Sequence, residues 1–369
     1  MQLTKYKLGD LIVQRREKNK DYDLPIRGVS REGFIKPKVE EADTSIYNVF
    51  YKNDFVFNPA RMELNSIALN LELDKALCSS LYEVFYVKDE NVVLPEFLNL
   101  HIKRDEFARH CDYIGLGSAR EYCRFANIAE FDIKIPPIEV QREIVKADRQ
   151  IKRRIRLNEQ MIEKLEATAQ ALYRKMFVDG IDKENLPEGW KVGKLEDICD
   201  CFDSKRKPVA GYDRDKMDSS KRIYPYYGAA ALMDYVDDYI FDGDYILMGE
   251  DGTVMNDDYT PVIQYVRGKF WVNNHAHILK GKNGFDENLL YLFLKQTNVK
   301  DIVTGGVQAK INQENMMSIP AIIPPHDLIK ELRGMENPIF REIHLRKQEN
   351  SKLSQLQSLL LAKMGNLKQ

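Results

Sequence analysis

Few of the residues that could do chemistry in this chain form a recognisable catalytic pattern. The sequence contains no phosphate-binding loop of the form G-x-x-x-x-G-K-[ST] and no zinc-protease pattern H-E-x-x-H. Pro-Asp, the dipeptide that would begin the commonest nuclease carboxylate motif, does not occur. Residues 136–137 and 324–325 are double prolines, but neither has the preceding amide or acid and the following aromatic ring with which amino-methyltransferases hold a flipped base. The sequence therefore predicts a protein without a catalytic site of its own.

A histidine pair comes nearest to a reactive site. His275 and His277 lie in a predicted strand, residues 271–279, and residues 249–252 (Gly-Glu-Asp-Gly) follow another predicted strand, residues 239–248. Alternation along a strand places both histidines on one face, where they could bind a metal ion together with nearby carboxylates. The alternative is a polar surface that faces DNA or stabilises the loops. We favour the alternative and assign no metal site.

The five cysteines occur at scattered positions. An odd number at such spacings favours reduced thiols over a disulfide framework. Only Cys199 and Cys201 have the spacing of a metal-binding pair, and no second pair at zinc-ligand spacing accompanies them. We interpret the cysteines as buried thiols.

Cationic clusters follow the first predicted helix in each half of the chain. Their members are Arg15, Arg16 and Lys18 in the first half and Lys205, Arg206 and Lys207 in the second. Such clusters can contact DNA phosphates, although a solvated charged loop is the alternative. Because 55 Lys and Arg residues are balanced by 57 Asp and Glu residues, any DNA binding must use local patches. Additional cationic surface from partner proteins is a further option.

The chain repeats itself at an offset close to half its length. Residues 6–9 (Tyr-Lys-Leu-Gly) correspond to residues 190–193 (Trp-Lys-Val-Gly), and residues 135–137 (Ile-Pro-Pro) recur as residues 323–325. Each copy consists of a globule of short strands and helices, then a glycine-containing loop, a short helix, an apolar strand and a double proline. This order predicts one supersecondary plan used twice.

A long helix is predicted after each double proline. Residues 139–178 contain no glycine or proline, and seam residues recur in steps of four and three from Ile151 to Met176. The same frame recurs from Ile339 to Met364 with a more polar seam, which predicts an antiparallel coiled coil within the chain. Asn158 and Asn350 would be buried polar residues that fix its register. A bundle helix or a homodimer zipper is the alternative.

The predicted fold is α/β of the mixed α+β kind, with two similar globular domains separated by two long helices and a pseudo-two-fold internal repeat. Pro338 should lie in the first turn of the second coiled-coil helix, capped by Asn337, with an earlier helix ending near Gly334. The predicted segments are residues 1–138 for the first globular domain, 139–178 for the first long helix, 179–326 for the second domain with a short linker, and 327–369 for the second long helix.

The sequence predicts no membrane segment. About 18 consecutive apolar residues nowhere occur, and residues 1–11 lack the apolar core of a signal peptide. We therefore expect a cytoplasmic protein.

The order of these features, found twice, resembles the specificity subunits of type I restriction-modification enzymes. The resemblance covers essentially the whole chain and depends on the glycine loop, short helix, Ile-x-Pro-Pro or Ile-Ile-Pro-Pro sequence and long helix in each copy. It implies a non-catalytic defence protein with two target-recognition domains, each of which reads one half of a bipartite site in double-stranded DNA. It also implies that the coiled coil receives two methyltransferase subunits and that restriction (motor-nuclease) subunits join them. S-adenosylmethionine, ATP and Mg are then expected on those partners, with no cofactor in this chain.

The resemblance also suggests which residues face DNA. Arg, Gln and Asn can form paired hydrogen bonds with base edges, whereas Lys and Ser can bind phosphates. The candidates in the second copy are Asp251, Asn274, His275, Gln308 and Lys310, and those at comparable places in the first copy are Arg61, Ser118 and Arg120. The first copy departs from the pattern at residues 58–61, which lack the glycines of residues 249–252 and have no histidine pair nearby.

The first long helix is basic. Residues 139–178 contain ten Lys or Arg and six Asp or Glu, and a cationic run lies near the beginning. Arg149, Arg153 and Arg156 are the candidate partner-binding residues, although they could instead face DNA or solvent. Two other functions remain open: a specificity subunit of a type II-like cleaving methyltransferase, and a coiled-coil scaffold that does not bind DNA.

Overall fold

The computed structural model describes residues 3–20, 23–37, 43–115, 122–218, 220–306 and 308–365. They fall into two compact units, unit 1 with residues 1–157 and 349–369, and unit 2 with residues 158–348. The two long helices span Ile138–Phe177 and His326–Gly365, so each contributes residues to both units. Within the described ranges, no helix combines the length and apolar composition that crossing a bilayer requires.

The described residues of unit 1 form ten short strands and the helices between them. The strands are β1 (Thr4–Lys7), β2 (Ile12–Arg15), β3 (Gly28–Ser30), β4 (Gly33–Ile35), β5 (Asn48–Tyr51), β6 (Phe55–Phe57), β7 (Ile67–Leu69), β8 (Lys75–Cys78), β9 (Glu83–Val87) and β10 (Asp132–Ile135). The helices are α1 (Leu8–Leu11), α2 (Pro95–Ile102), α3 (Asp105–Gly115), α4 (Phe125–Ala129) and the first part of α5 (Ile138–Phe177). A four-stranded sheet in the order β2-β9-β6-β7 is accompanied by the pairs β1-β10, β3-β4 and β5-β8.

Aromatic residues of adjacent strands form the centre of the unit 1 core. Phe55 and Phe85 are directly opposite each other in the β6–β9 register, and their rings stack with centroids 4.7 Å apart. Phe57 is also fully buried, because all three residues of β6 are covered on both faces. Such aromatic cross-strand pairs stabilise a sheet beyond their buried area.

Unit 2 has a larger sheet. Its strands are β11 (Lys191–Lys194), β12 (Cys199–Cys201), β13 (Tyr224–Tyr227), β14 (Leu232–Val236), β15 (Phe241–Gly249), β16 (Ile263–Val272), β17 (Ala276–Gly281) and β18 (Pro320–Ile323). Its helices are α6 (Leu195–Ile198), α7 (Gly211–Asp215), α8 (Glu287–Leu294), α9 (Gln313–Met317) and the first part of α10 (His326–Gly365). Six strands follow the order β12-β17-β15-β16-β13-β14, and β11 pairs with β18.

The predicted internal repeat is confirmed by the strand topology. In unit 1, β1 and β10 are antiparallel with Thr4 opposite Ile135, and in unit 2, β11 and β18 are antiparallel with Lys191 opposite Ile323. The order β2-β9-β6-β7 recurs as β12-β17-β15-β16. The units differ in their other strands, because β13 and β14 extend the unit 2 sheet at one edge, whereas unit 1 has the separate pairs β3-β4 and β5-β8.

The antiparallel pairing of the long helices is also confirmed. In unit 1, Arg154 of α5 donates to Glu349 of α10 at 2.7 Å, whereas Gln357, further along α10, donates to the earlier Asp148 at 2.7 Å. In unit 2, the Lys347 ammonium lies 3.2 Å from the Glu166 carboxylate. Every predicted seam position from Ile151 to Met176 and from Ile339 to Met364 is buried or half-buried, as a coiled-coil seam requires.

The predicted break before Pro338 is wrong, because Pro338 lies inside the continuous helix α10. Proline removes the hydrogen bond to the carbonyl four residues earlier, here that of the exposed Gly334, and costs about 3 kcal/mol in a helix interior. Leu332 on one side of the proline and Phe340 on the other are buried in the same core. Packing on both sides therefore holds the helix together through a position where local propensity favours an end.

Glu336 of α10 is a buried carboxyl group within unit 2. Its relative exposure is 0%, and neither carboxyl oxygen has a hydrogen-bond partner among the described residues. Burial raises the pKa of Glu336 to about 9, and the carboxylate of Asp286 adds to the rise. Glu336 is therefore protonated at neutral pH in the folded protein.

Replacing this group should stabilise unit 2 in a pH-dependent way. The folded protein holds a proton on Glu336 that the unfolded chain loses above its ordinary pKa, so wild-type stability falls as pH rises from about 4.5 to about 9. We expect Glu336→Met to raise the free energy of unfolding by roughly 1–3 kcal/mol at pH 8 and by less at pH 5, since it removes an unsatisfied buried polar group. Urea unfolding at both pH values measures the difference. Glu331→Gln, on the exposed side of α10, is the control, and an equal gain from Glu336→Met at both pH values would contradict the assignment.

Candidate nucleic-acid interfaces

Three separate segments of unit 2 meet beyond the end of β15. The Glu250 N–H donates to the carbonyl of His275 at 2.9 Å, and the Ile311 N–H donates to the carbonyl of Glu250 at 2.8 Å. The Gly252 N–H donates to the carbonyl of Ala309 at 2.9 Å. Residues 249–252, 273–277 and 308–311 are thus joined through their backbones. This junction brings together the predicted residues Asp251, Asn274, His275, Gln308 and Lys310.

A glycine is required in the loop that leads into the last of these segments. Thr304 and Lys310 exchange two backbone hydrogen bonds of 2.8 Å, which close a tight loop. Gly305 has φ +94°, and a Cβ atom there would lie 2.1 Å from the Gln308 carbonyl oxygen. The Gln308 amide is exposed beside Gly252, so the loop presents an amide next to the turn after β15.

His275 is held by polar neighbours at the edge of the junction. Its Nδ1 lies 2.6 Å from the Asp251 carboxylate, and its backbone N–H donates to the Asn273 amide oxygen at 2.8 Å. The Asn274 side chain is exposed. Asp251, Asn274 and His275 therefore form one exposed polar surface, on which the carboxylate can orient the imidazole.

Arg206 occupies the centre of the junction and is mostly buried. It donates to the Glu250 carboxylate, to the Ala276 carbonyl at 2.9 Å and to the Asp203 carbonyl at 3.1 Å. Burial disfavours the charged form of Glu250, but Arg206 reverses this effect and holds the pKa of Glu250 below its ordinary value. The Lys310 ammonium lies 3.2 Å from the other Glu250 oxygen. Arg206 is thus engaged with the protein itself, unlike the exposed Lys205 and Lys207.

His275 and His277 do not lie together as two ligands of one metal ion. The predicted strand over residues 271–279 is interrupted, because β16 ends at Val272 and β17 begins at Ala276, so His275 precedes the strand. His277 is buried, with Nδ1 2.5 Å from Asp203 and Nε2 2.9 Å from the Ile311 carbonyl oxygen. Burial opposes ionisation of Asp203, yet its hydrogen bond with His277 holds the pKa of Asp203 below the ordinary value.

Among the described residues, Cys201, Asp203 and His277 form the group that could hold a metal ion. Their ligand atoms lie within 4.8 Å of one another. Burial raises the pKa of Cys201 to about 12, so the thiol is neutral, and a guanidinium nitrogen of Arg206 lies 3.4 Å from Asp203. A neutral thiol and an adjacent cation both oppose metal binding, and the hydrogen bonds already occupy the other two ligands. The donor set fits a hydrogen-bonded anchor for β17 better than a metal centre.

In unit 1 the predicted cations line a cleft of about 600 Å³. The cleft lies between the end of β2, the turn that precedes β9, and the segment that follows β6. Among the residues that line it are Gln14, Arg15, Arg16, Lys18, Asn58, Ser79, Ser80, Tyr82, Glu83, Tyr122 and Arg124. Arg61 is exposed in the helical turn Pro59–Leu64 but does not line the cleft. Ser118 and Arg120 lie outside the described residues.

The cations of this cleft differ in how firmly they are held. Arg15 makes a two-pronged contact with the buried Asp54 at 2.7 and 3.1 Å, and its guanidinium lies over the rings of Tyr51 and Tyr86. Burial raises the pKa of the Asp54 carboxyl, and the hydrogen bond from Arg15 opposes the rise. Arg16, by contrast, is exposed and donates to the Gln14 amide oxygen at 2.8 Å.

The residues of the cleft that the sequence interpretation missed include Glu83 and Arg124. Glu83 accepts hydrogen bonds from Gln14 at 3.2 Å, from Arg124 at 3.1 Å and from the Phe125 N–H at 2.7 Å. Arg124 also lies over the ring of Tyr122, 5.4 Å from its centroid. These residues are separated by about 40 positions, and no local motif connects them. Only the alternation of β9, with Glu83 at its first position, could have drawn attention to one of them.

The two polar sites occupy the same place in the repeated fold. In unit 1 the Cys123 N–H donates to the Pro59 carbonyl at 3.0 Å, and in unit 2 the Ile311 N–H makes the equivalent bond to Glu250. In register, Glu83 lies opposite Phe57 as His277 lies opposite Met248. Residues 58–61 therefore correspond to residues 249–252 in backbone position, although their side chains differ.

The predicted partner-binding arginines lie on α5 in unit 1. Arg149 and Arg153 line a groove of about 530 Å³ together with Arg142 and Lys146. Glu96, which pairs with Arg149, is the acidic residue of this groove. Arg156 is exposed on α5 outside the groove. The groove is therefore mainly cationic.

Comparison with known proteins agrees with the repeated fold. A Haemophilus influenzae protein named "Putative type I restriction enzyme specificity subunit S.HindORF215P" is 35% identical over 156 residues. That alignment covers 40% of this chain and 37% of the relative, so it spans about two fifths of either protein. The crystal structure of a type I restriction-modification system S subunit from M. genitalium superimposes with a TM-score of 0.57 at 15% identity, over 98% of this chain and 96% of that one. The latter likeness concerns the fold alone.

The family model described as the type I restriction modification DNA specificity domain matches the chain twice, at residues 4–167 and 187–332. Each match contains one globular segment with its closing strand pair and continues into the long helix that follows. Together the matches cover most of the sequence. The protein therefore belongs to the family of type I restriction modification DNA specificity domains.

Proposed function

We propose that this protein is the non-catalytic subunit that reads a bipartite site in double-stranded DNA for a type I restriction-modification system. The observation that carries the proposal is the equivalence of the two polar sites. Both lie where a loop after the third sheet strand meets the segment before α4 or α9, and the two sets of side chains differ. Equivalent backbone positions in the two units thus present different side chains. This arrangement suits a protein in which each unit reads a different half-site.

The exposed residues of each site suit the chemistry of DNA. In unit 2, Asn274 and Gln308 offer amides that can pair with an adenine edge, and Lys207 can contact a phosphate. In unit 1, Arg16 offers a guanidinium suited to a guanine edge or a phosphate. Arg15 and Arg206 are instead framework residues, since carboxylates within the protein hold them.

Two methyltransferase subunits and restriction (motor-nuclease) subunits would act on the DNA that this chain selects. S-adenosylmethionine, ATP and Mg would be bound by those partners. The cationic groove around Arg149 and Arg153 is a suitable surface for an acidic region of a partner, because charge complementarity favours association and correct orientation. Arg156 would extend this surface along α5.

The first test concerns catalysis. We expect the purified chain alone to transfer no methyl group from S-adenosylmethionine and to cut no DNA. Transfer should appear when a separate methyltransferase chain is added, with this chain determining the methylated sequence. Radiolabelled methyl transfer to plasmid DNA measures the activity. Methyl transfer by this chain alone, retained through further purification, would refute the proposal.

The second test concerns the two half-sites. We expect the double variant Asn274→Ala and Gln308→Ala to relax or change one half of the target and to leave the other half intact. Each lost paired contact should cost about 1–3 kcal/mol of discrimination. Methylome sequencing of cells that contain the variant and its methyltransferase identifies the affected positions. Arg16→Ala, in unit 1, should affect the opposite half. A change in both halves from either variant would contradict independent reading.

The third test distinguishes Arg206, which we expect to stabilise the fold, from Lys207, which we expect to contact a DNA phosphate. We expect Arg206→Ala to lower the free energy of unfolding by roughly 1.5–3 kcal/mol, because hydrogen bonds to charged groups contribute about that much. Lys207→Ala should change stability by less than about 0.5 kcal/mol. It should instead weaken the salt dependence of DNA binding. The slope of the logarithm of the binding constant against the logarithm of salt concentration should become shallower by about 0.9, the contribution of one phosphate contact. If Arg206→Ala retained full stability and lost only DNA binding, Arg206 would be a DNA contact.

A further inference from the structure

Unit 2 exposes an apolar segment that its fold does not use. Residues 229–233 (Ala-Ala-Ala-Leu-Met) form the tip of the hairpin made by β13 and β14. Leu232 is 42% exposed and Met233 is 57% exposed, and neither belongs to the hydrophobic cores of the described residues. Runs of exposed apolar residues are unfavourable in water and usually mark a contact surface.

The hairpin is held firmly at its base. Tyr226 of β13 and Val236 of β14 are buried. Asp234 accepts hydrogen bonds from Arg214 at 3.0 Å and from Arg222. At the tip, the Gly228 N–H donates to the Ala231 carbonyl at 2.9 Å. The apolar residues are therefore presented on a rigid two-stranded ribbon.

The tip adjoins the polar junction that contains His275 and Asp251. The amide of the buried Asn273 contacts the Met233 sulfur at 3.3 Å, and its oxygen accepts from the His275 N–H at 2.8 Å. A Cβ atom on Gly249 would lie 3.4 Å from the Ala229 carbonyl oxygen. The hairpin tip and the junction therefore form one continuous surface.

We infer that this tip enters the major groove and reads thymine methyl groups in the half-site of unit 2. This inference rests on the proposed function. The major groove accepts a two-stranded ribbon, and alanine and other apolar side chains contact the C5 methyl group of thymine there. Ala230, Ala231 and Leu232 have no side-chain hydrogen-bonding group, so the methyl is the base feature that they can recognise. The amides of Asn274 and Gln308 would read the neighbouring base edges.

DNA fits this surface better than a partner protein does. The apolar run covers only five residues and adjoins polar side chains, whereas a stable protein interface needs a larger apolar centre. Lys207 lies near the same hairpin, because its carbonyl accepts a hydrogen bond from Trp271, and Trp271 is opposite Tyr226 of β13. An exposed cation beside an apolar ribbon suits a groove bordered by phosphates.

The test replaces thymine with deoxyuridine, which lacks only the methyl group. The full chain, in complex with its methyltransferase, first selects duplexes from a random pool, and the half-site altered by the Asn274→Ala and Gln308→Ala variant is assigned to unit 2. Each thymine of that half-site is then replaced by deoxyuridine. We expect binding to weaken about fourfold at one or more positions, the factor that one buried methyl-sized group contributes. In the variant Leu232→Ser, thymine and deoxyuridine duplexes should bind equally at the affected position.

Ile223→Ser is the matched control, because Ile223 is 65% exposed just before β13, at the opposite end of the hairpin from the tip. It should retain the fourfold difference. Ala230→Ser provides a second, smaller change at the tip if Leu232→Ser folds poorly.

The outcomes separate the two proposals. A half-site of unit 2 without thymine on either strand, or one in which deoxyuridine binds as well as thymine, would overturn the methyl-reading role while leaving bipartite reading intact. Loss of methyltransferase association by Leu232→Ser, with the thymine preference retained, would show that the tip contacts a partner protein. If the wild-type complex selects no sequence at all, the proposed function itself fails.

Discussion

Each unit of this protein depends on one strand pairing that joins residues far apart in the sequence. The first strand of each unit pairs with the strand that leads into a long helix, with Thr4 opposite Ile135 and Lys191 opposite Ile323. Once these ends are fixed, the segment between them can change in length at little cost. The entropy lost when the two ends of a loop are brought together grows only logarithmically with loop length. Unit 2 has β13 and β14 between its first and third sheet strands, and unit 1 has β3, β4 and β5 there, yet the order of the four shared strands is the same. The closing pair thus lets the reading surface vary while the connection to the helices stays constant.

Features encoded by local spacing were predictable from the sequence, whereas features that depend on distant partners were not. The long helices follow from a seven-residue pattern, which in residues 139–178 contains no glycine or proline, and the repeat follows from the recurrence of Ile-Pro-Pro. Pro338 was misinterpreted because its helix is maintained by core packing that local propensity does not contain. Arg206 stood in a cationic run like that of its neighbours, but its burial depends on Glu250, 44 residues later. The apolar tip at residues 229–233 has no periodic pattern, so its exposure became visible only in the fold.

Carboxylates inside the fold decide which cations remain available for DNA. Asp54 holds Arg15, and Glu250 holds Arg206. Each pair is at least partly buried, so its charges are screened less by salt than exposed pairs are, and breaking it would leave an uncompensated charge. These arginines stabilise the loops that present other side chains. A run of Lys and Arg in the sequence therefore contains both residues that stabilise the fold and residues that are free to contact DNA. Only the burial of each side chain distinguishes the two kinds.

Under the proposed function, this division explains how a chain with a net charge of −2 would serve as a DNA reader. Non-specific affinity for DNA increases with the number of phosphates neutralised, and the cations bound by internal carboxylates contribute little to that number. At the two polar sites, the cations that remain exposed include Arg16, Lys18, Lys205 and Lys207. We expect the chain alone to discriminate between sequences better than it holds DNA, because its carboxylates neutralise part of its cationic surface. Base-edge contacts change the relative affinity of sequences without requiring a high total affinity. In the proposed assembly, weak binding by this chain alone would keep it from occupying DNA sites where no partner enzyme accompanies it.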